Sequence, residues 1–262
     1  MRTLIAAIDD SPAARSVLET ARRVAVLVSA RVEAVHVQEH DSGRAARSSA
    51  DAAGLPLRVR SGDVVASLIA EVSERDAIAL IVGTRDLPTS DVPAGHVALD
   101  LLASLERPIV VVPELAVDRP LNRILVAVEG DGDSGELREL LENLDDRATP
   151  EVIAFHVMEP HDLPMFADSP VLEAEAFERE FMIRATSAVL ADPSSVRLEL
   201  RVGNAPDALR EAARDLDVDL VVMAWHRDLS EGHGRLVHEM LTGATVPVVL
   251  FPVLRHAAPR VR

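Results

Sequence analysis

Ile5-Ala6-Ala7-Ile8-Asp9 and, 120 positions later, Leu125-Val126-Ala127-Val128-Glu129 are one pattern written twice: a short apolar run closed by an acidic residue. The same displacement carries Ala34-Val35-His36-Val37 onto Ala154-Phe155-His156-Val157. Further on it becomes 141, where Gly62 answers to Gly203, then 140, where Ala79-Leu80-Ile81-Val82 is set on Asp219-Leu220-Val221-Val222. It ends at 139, placing Pro108-Ile109-Val110-Val111-Val112-Pro113 on Pro247-Val248-Val249-Leu250-Phe251-Pro252. An offset this steady over so many segments marks a duplication. The chain of 262 residues accordingly reads as a domain at 1–114, a linker at 115–121, a second domain at 122–255 and a tail at 256–262.

Within each copy, short runs rich in β-branched residues alternate with longer Ala-, Leu-, Glu- and Arg-rich segments of helical spacing. That alternation predicts βαβ units and a parallel sheet. Strands are expected at Leu4–Ile8, Val32–Val37, Leu57–Arg60, Ala79–Val82 and Ile109–Val112, and again at Ile124–Val128, Val152–Val157, Arg197–Arg201, Leu220–Met223 and Val248–Phe251. Hydrophobic residues make up 48% of the chain and aromatics 2%, so Val, Leu, Ile and Ala must build a core of strands buried on both faces.

The helix starts carry turn and cap residues. Ser11-Pro12 reads as an N-cap with proline at N1, Asp133 with Glu136 as a capping box, and Gly62-Asp63 and Gly203-Asn204 as a turn followed by a cap. The change of offset from 120 to 141 means that the first copy lacks 21 residues between its second and third strands. The second copy fills that stretch with an amphipathic run, Val171–Ala191, whereas the first keeps a short Ala-rich piece near Arg44–Ala53. One sheet face of the first copy is therefore expected to be thinly covered and available for contact.

Several function classes are disfavoured by composition. A formal charge of −16 repels nucleic acid backbones and anionic membranes. With no cysteine, disulfides, thiolate metal sites and thiol nucleophiles are excluded. The opening residues enter a strand at once, and no run approaches the ~18 apolar residues of a membrane span, so a cytoplasmic protein is expected.

The strand ending in Ile8-Asp9-Asp10-Ser11, the glycine and cap before the third helix, the Ala79–Arg85 strand and the proline-introduced closing strand together resemble the universal stress protein family, twice over. The resemblance implies two tandem Rossmann-like or flavodoxin-like α/β domains, each a five-stranded parallel sheet with helices on both faces, packed as a pseudo-dimer. It also implies a ligand site at the carboxyl ends of strands one and four. Nucleotide-binding members place an aspartate at the end of strand one and a glycine-rich phosphate loop after strand four.

Carried over residue by residue, the site of an adenine nucleotide such as ATP would use Asp9, Gly83, Gly95 and His96. Asp86 stands where the loop's second glycine belongs, Gly95 comes one residue early, and His96 replaces a hydroxyl residue. The second copy departs further, with Glu129 for the aspartate, Met223 aligned to the first glycine, and Arg227 near the second. Degenerate nucleotide sites with feeble ATP binding are the expectation.

Other signals yield to plainer readings. Gly132-Asp133-Ser134-Gly135 matches the string around a serine nucleophile but sits at a strand-to-helix turn without a base. Asp131, Asp133 and Glu142 have calcium-loop spacing with the glycine misplaced. His96, His226, His233 and His238 fall after the fourth strands with no metal geometry, so no metal is expected. His36 and His156 repeat in strand two, which points to a packing or hydrogen-bonding role rather than catalysis. Trp225 is expected to cover the vacated phosphate site of the second copy.

No catalytic constellation emerges. The reading is a non-enzymatic stress-response regulatory or binding module with a small-molecule or protein partner, and a further homodimer is an open option. The alternatives are an ATP sensor using the first domain and a small-molecule hydrolase or transferase.

Overall fold

The computed structural model describes residues 2–38, 43–84, 96–114, 116, 119–128, 142–145, 147–158, 196–225 and 233–252. The first half runs β1 (Arg2–Ala7), α1 (Ala14–Leu27), β2 (Ala30–Gln38), α2 (Arg44–Ala52), β3 (Leu57–Ser61), α3 (Val64–Glu74), β4 (Ala79–Gly83), α4 (His96–Ser104) and β5 (Ile109–Val112). The second half contributes β6 (Arg123–Ala127), β7 (Glu151–Met158), β8 (Val196–Val202), α5 (Ala205–Asp215), β9 (Leu220–Trp225), α6 (His233–Gly243) and β10 (Val248–Pro252). Every expected strand is present to within two residues at either end.

All ten strands join one sheet in the order β3-β2-β1-β4-β5-β10-β9-β6-β7-β8. Each half is parallel throughout, and the halves meet through an antiparallel ladder pairing Ile109 with Leu250, Val110 with Val249 and Val111 with Val248. Under the duplication Ile109 is equivalent to Val248, which maps this ladder onto itself. The pseudo-two-fold axis therefore passes between Val110 and Val249, and the two closing strands cover each other's exposed edge.

Side chains alternate between two core layers that run across both halves. Leu4, Ala6, Ile81, Val110, Val126 and Val222 belong to one layer, and Ile5, Leu80, Val111, Leu125, Val221 and Leu250 to the other. Burial on both faces is why the strands read as continuous apolar runs rather than alternating ones.

Pairing also corrects the alignment of the fourth strands. Leu4 pairs with Ala79, and its equivalent Ile124 pairs with Leu220. The offset there is therefore 141, not 140, and Ala224 rather than Met223 stands at the position of Gly83. In a strand apolar on both sides, a one-residue slip changes no apolar character, so sequence similarity could not detect it.

Caps divide into kept and corrected. Asp63 accepts from the Ala66 amide at 2.8 Å and Asn204 from the Asp207 amide at 3.4 Å, as expected of N-caps. Ser11 is not a cap. Helix α1 starts at Ala14 after a tight turn, and the Ser11 hydroxyl donates to Asp9 Oδ1 at 2.5 Å, consuming its polar handle one turn early. The Asp133–Glu136 box and the run 171–191 lie outside the described residues.

The thinly covered face of the first half is also corrected. Helix α2, through fully buried Ala46 and Ala50, and α1 leave Val32 8% and Ala34 0% exposed. Among the described residues of that sheet face, Val59 on edge strand β3 is the large apolar side chain that stays open, at 41%.

On the opposite face the halves differ in chemistry. Glu71 on α3 is fully buried and accepts from Arg60 Nε at 2.6 Å. Arg75 lies 3.3 Å and Arg58 3.6 Å from the same carboxylate. Glu33 adjoins this cluster, 3.6 Å from Arg58. In the second half the equivalent positions hold Ile153 and Ala212, both fully buried.

Either end of the segment between halves is held by hydrogen bonds. Ser16 Oγ donates to the Glu114 carbonyl at 2.9 Å. Arg119 bonds Asp217 at 2.6 Å and also pairs with Asp219, whose Oδ2 accepts the amides of Asn122 and Arg123, both at 2.9 Å.

Candidate ligand cleft in the first half

Strands β1 and β4 are adjacent, and the chain leaves them toward opposite faces of the sheet, so their carboxyl ends part to open a crevice. A cleft of about 420 Å³ lies there. Its walls are apolar: Val17 of α1, Val35 of β2, Leu68 of α3, Val82 of β4 and Val97 of α4 all line it. Its polar rim is the turn after β1, made of Asp9, Asp10 and Ser11.

Both carboxylates of that rim are held in place. Asp9 Oδ1 accepts from the Ser11 amide at 3.0 Å as well as from its hydroxyl. Asp10 Oδ1 accepts from the Ala46 amide at 2.8 Å, tying the first turn of α2 to the cleft mouth. A second tie runs through His36, which is 1% exposed and places Nδ1 3.0 Å from the Ile8 carbonyl. Gly43, at φ +58°, lies so close to that imidazole that a Cβ would come within 2.8 Å of His36 Cδ2, so only glycine fits there. His156 makes the same contact with the Val128 carbonyl at 3.0 Å, which bears out the paired hydrogen-bonding role of the two histidines.

Of the residues singled out for nucleotide binding, the structure brings Asp9 and Gly83 together in the cleft. Gly83 has a packing reason to lack a side chain, since a Cβ would sit 3.2 Å from Val17 Cγ2, tight enough that Val17 would have to give by a few tenths of an ångström. His96 opens α4, while Gly95, Asp86 and Glu129 lie outside the described residues, as do His226 and Arg227. Among the described residues no group of three or more His, Cys, Asp or Glu side chains is arranged to hold a metal.

Trp225 does not cover a phosphate site. It is 1% exposed and donates through Nε1 to the Leu102 carbonyl, 2.9 Å away in the first half. The sequence showed a tryptophan after strand four but carried no signal of which half its ring would enter. Sequence reasoning likewise passed over Asp10, whose role depends on α2 folding back over the turn.

A family model described as the universal stress protein family matches residues 120–252, half of the chain. The chain belongs to the universal stress protein family. The fold of this universal stress protein is shared along its whole length with solved structures of low sequence identity. A universal stress protein from Archaeoglobus fulgidus DSM 4304 superposes with a TM-score of 0.63 at 14% identity, covering 95% of this chain and 98% of that one. A protein of unknown function from Pseudomonas aeruginosa PAO1 gives a TM-score of 0.68 at 16% identity, over 96% of this chain and 92% of its own. At such identities the likeness concerns the fold alone. No curated protein sequence matches. Among the described residues, no helix is long and apolar enough to cross a membrane.

Proposed function

We propose that this universal stress protein is a non-enzymatic binding module, in which occupancy of the first-half cleft is the signal and no chemistry follows. The observation that supports this reading is the cleft itself: apolar walls meeting a rim of two aspartates that are engaged in holding the turn and α2. Carboxylates fixed by backbone amides position a ligand and link it to a neighbouring helix. Asp86 stands where the phosphate loop's second glycine belongs, and a carboxylate beside a triphosphate costs on the order of a kcal/mol or more in a partly buried site by like-charge repulsion. Degenerate nucleotide recognition, with ATP bound feebly, follows from that repulsion.

A second reading, an adenine-nucleotide sensor, is favoured by the juxtaposition of Asp9 and Gly83 at the ends of β1 and β4. Titration calorimetry of the intact chain with Mg-ATP separates the two. Weak or undetectable binding, with no turnover of ATP, is the expected result. Micromolar affinity abolished by Asp9→Ala would replace the first reading with the second, and steady hydrolysis would overturn both.

A further inference from the structure

We propose that helix α4 carries the state of the first-half cleft across to the second half, through the hydrogen bond that its carbonyl end accepts from Trp225. The inference rests on the reading of the cleft as a binding site and names where occupancy is registered.

The two ends of α4 are engaged by different halves. Near its start, Val97 stands in the cleft wall and is 39% exposed, so a bound molecule packs directly on it. Near its end, the Leu102 carbonyl accepts from Trp225 Nε1 at 2.9 Å, and that indole closes β9. Leu102 follows Val97 by five positions, about 7.5 Å along one helix. A helix of nine residues is too short to hold itself in place. Packing holds it, through Ala98, Leu101 and Leu102, which share a core layer with Leu68 and Trp225. The other walls have less freedom to follow an occupant: Val35 and Val82 lie in paired strands, and Val17 and Leu68 are buried. A ligand pressing on Val97 therefore moves α4 as a unit. The bond at the far end is sensitive to small displacements, since a shift of about 0.7 Å along the donor–acceptor line takes 2.9 Å to about 3.6 Å, beyond hydrogen-bond reach.

The link is asymmetric. With the offset of 141 set by strand pairing, the first-half equivalent of Trp225 is Thr84, whose hydroxyl donates to the Val112 carbonyl of its own half at 3.3 Å. Trp225 delivers the displacement to the end of β9, where it is in register with Pro252 of β10. That end is the second-half counterpart of the Gly83 end of the cleft. Coupling of this kind is reciprocal, so loss of the Trp225 bond must in turn loosen the cleft wall.

The chain has no cysteine and one tryptophan, so a single introduced thiol and a single native fluorophore test the link. In Val97→Cys and, separately, in Val64→Cys, which lines the cleft from α3, the thiol is capped with N-cyclohexylmaleimide as a tethered apolar occupant, with circular dichroism confirming the fold. Trp225 emission should move to longer wavelength in both adducts, and acrylamide quenching should rise about twofold or more over the uncapped variants. Val59→Cys, comparably exposed on the other face of the sheet, should show no change when capped. In the reverse direction, adding Trp225→Phe to Val97→Cys should speed capping about two- to tenfold, the range set by one hydrogen bond of ordinary net strength, and leave the rate for Val59→Cys unchanged. Unchanged emission in the two cleft adducts, an equal response from Val59→Cys, or an unchanged capping rate at position 97 overturns the inference while the binding-module reading stands. Thiols at positions 97 and 64 that the reagent fails to reach in the folded chain overturn both.

Discussion

Replacing Trp225 by phenylalanine tests how much one side chain adds to the β5–β10 ladder in holding the two halves together. The indole is buried in the core layer on the α3 and α4 side, and its Nε1–H donates at 2.9 Å to the carbonyl of Leu102. Helix α4 ends at Ser104, so Leu102 carries one of the terminal carbonyls that the helix itself does not satisfy. Phenylalanine removes the donor and leaves that oxygen buried, at a cost of about 1–3 kcal/mol. It also removes roughly 40 Å³ of side chain, which at about 24 cal/mol per Å³ of unrelaxed cavity adds about 1 kcal/mol. The expected destabilisation is therefore about 2–4 kcal/mol, enough to lower a urea midpoint plainly. Far-UV circular dichroism is the readout, since the variant lacks the chain's only tryptophan. A change below about 0.5 kcal/mol, the scale of an ordinary surface substitution, would refute the assignment of the Trp225 indole as a stabilising inter-half contact.

Three further outcomes are expected. Glu71→Ala removes the acceptor shared by Arg58, Arg60 and Arg75, which keep Glu33 and Glu74 as partners, and should lower the urea midpoint measurably, whereas Ala212→Ser at the equivalent apolar position should be milder. Gly43→Ala forces a side chain into a left-handed conformation and against His36, costing about 1–2 kcal/mol or more, and faster amide exchange in α2 than in α1 would report it. The hydrogen bond from Arg119, with its positive charge, holds the Asp217 carboxyl below its ordinary range, so the stability that this pair contributes is present above about pH 4 and is lost as pH falls through the lowered value. Asp217→Asn should accordingly lower the melting temperature at neutral pH, change it little once pH has fallen below the lowered value, and so flatten the acid limb of a thermal-denaturation profile; an unchanged limb would show that the pair does not govern it.

The sequence by itself determined the strands and the duplication, because each rests on local or periodic information, and the family resemblance pointed to the ends of strands one and four as the place of the cleft. Apolar runs between helical segments specify buried parallel strands, and Asp63 and Asn204 announce caps by residue type and position. The repeat of His36 as His156 foretold a paired structural role, and both rings do reach the carbonyl that follows strand one in their own half. Asp9 and Gly83 were legible as site residues only through the family resemblance; that β1 and β4 are neighbours came from the structure.

Only the tertiary structure decided the rest, since it depends on what arrives from elsewhere in the chain. Ser11 has the form of a cap but lies within reach of Asp9, and that partner wins. The equivalence of Gly83 and Ala224 needed the pairing of β1 with β4 and of β6 with β9, because an apolar strand looks the same after a one-residue slip. Trp225 binds across 123 positions of sequence and Asp10 across 36, distances over which composition and period carry no information. What the cleft presents to a ligand is set by such long-range partners: they fix the Asp10 carboxylate at the rim and bring valines from separate elements to one wall.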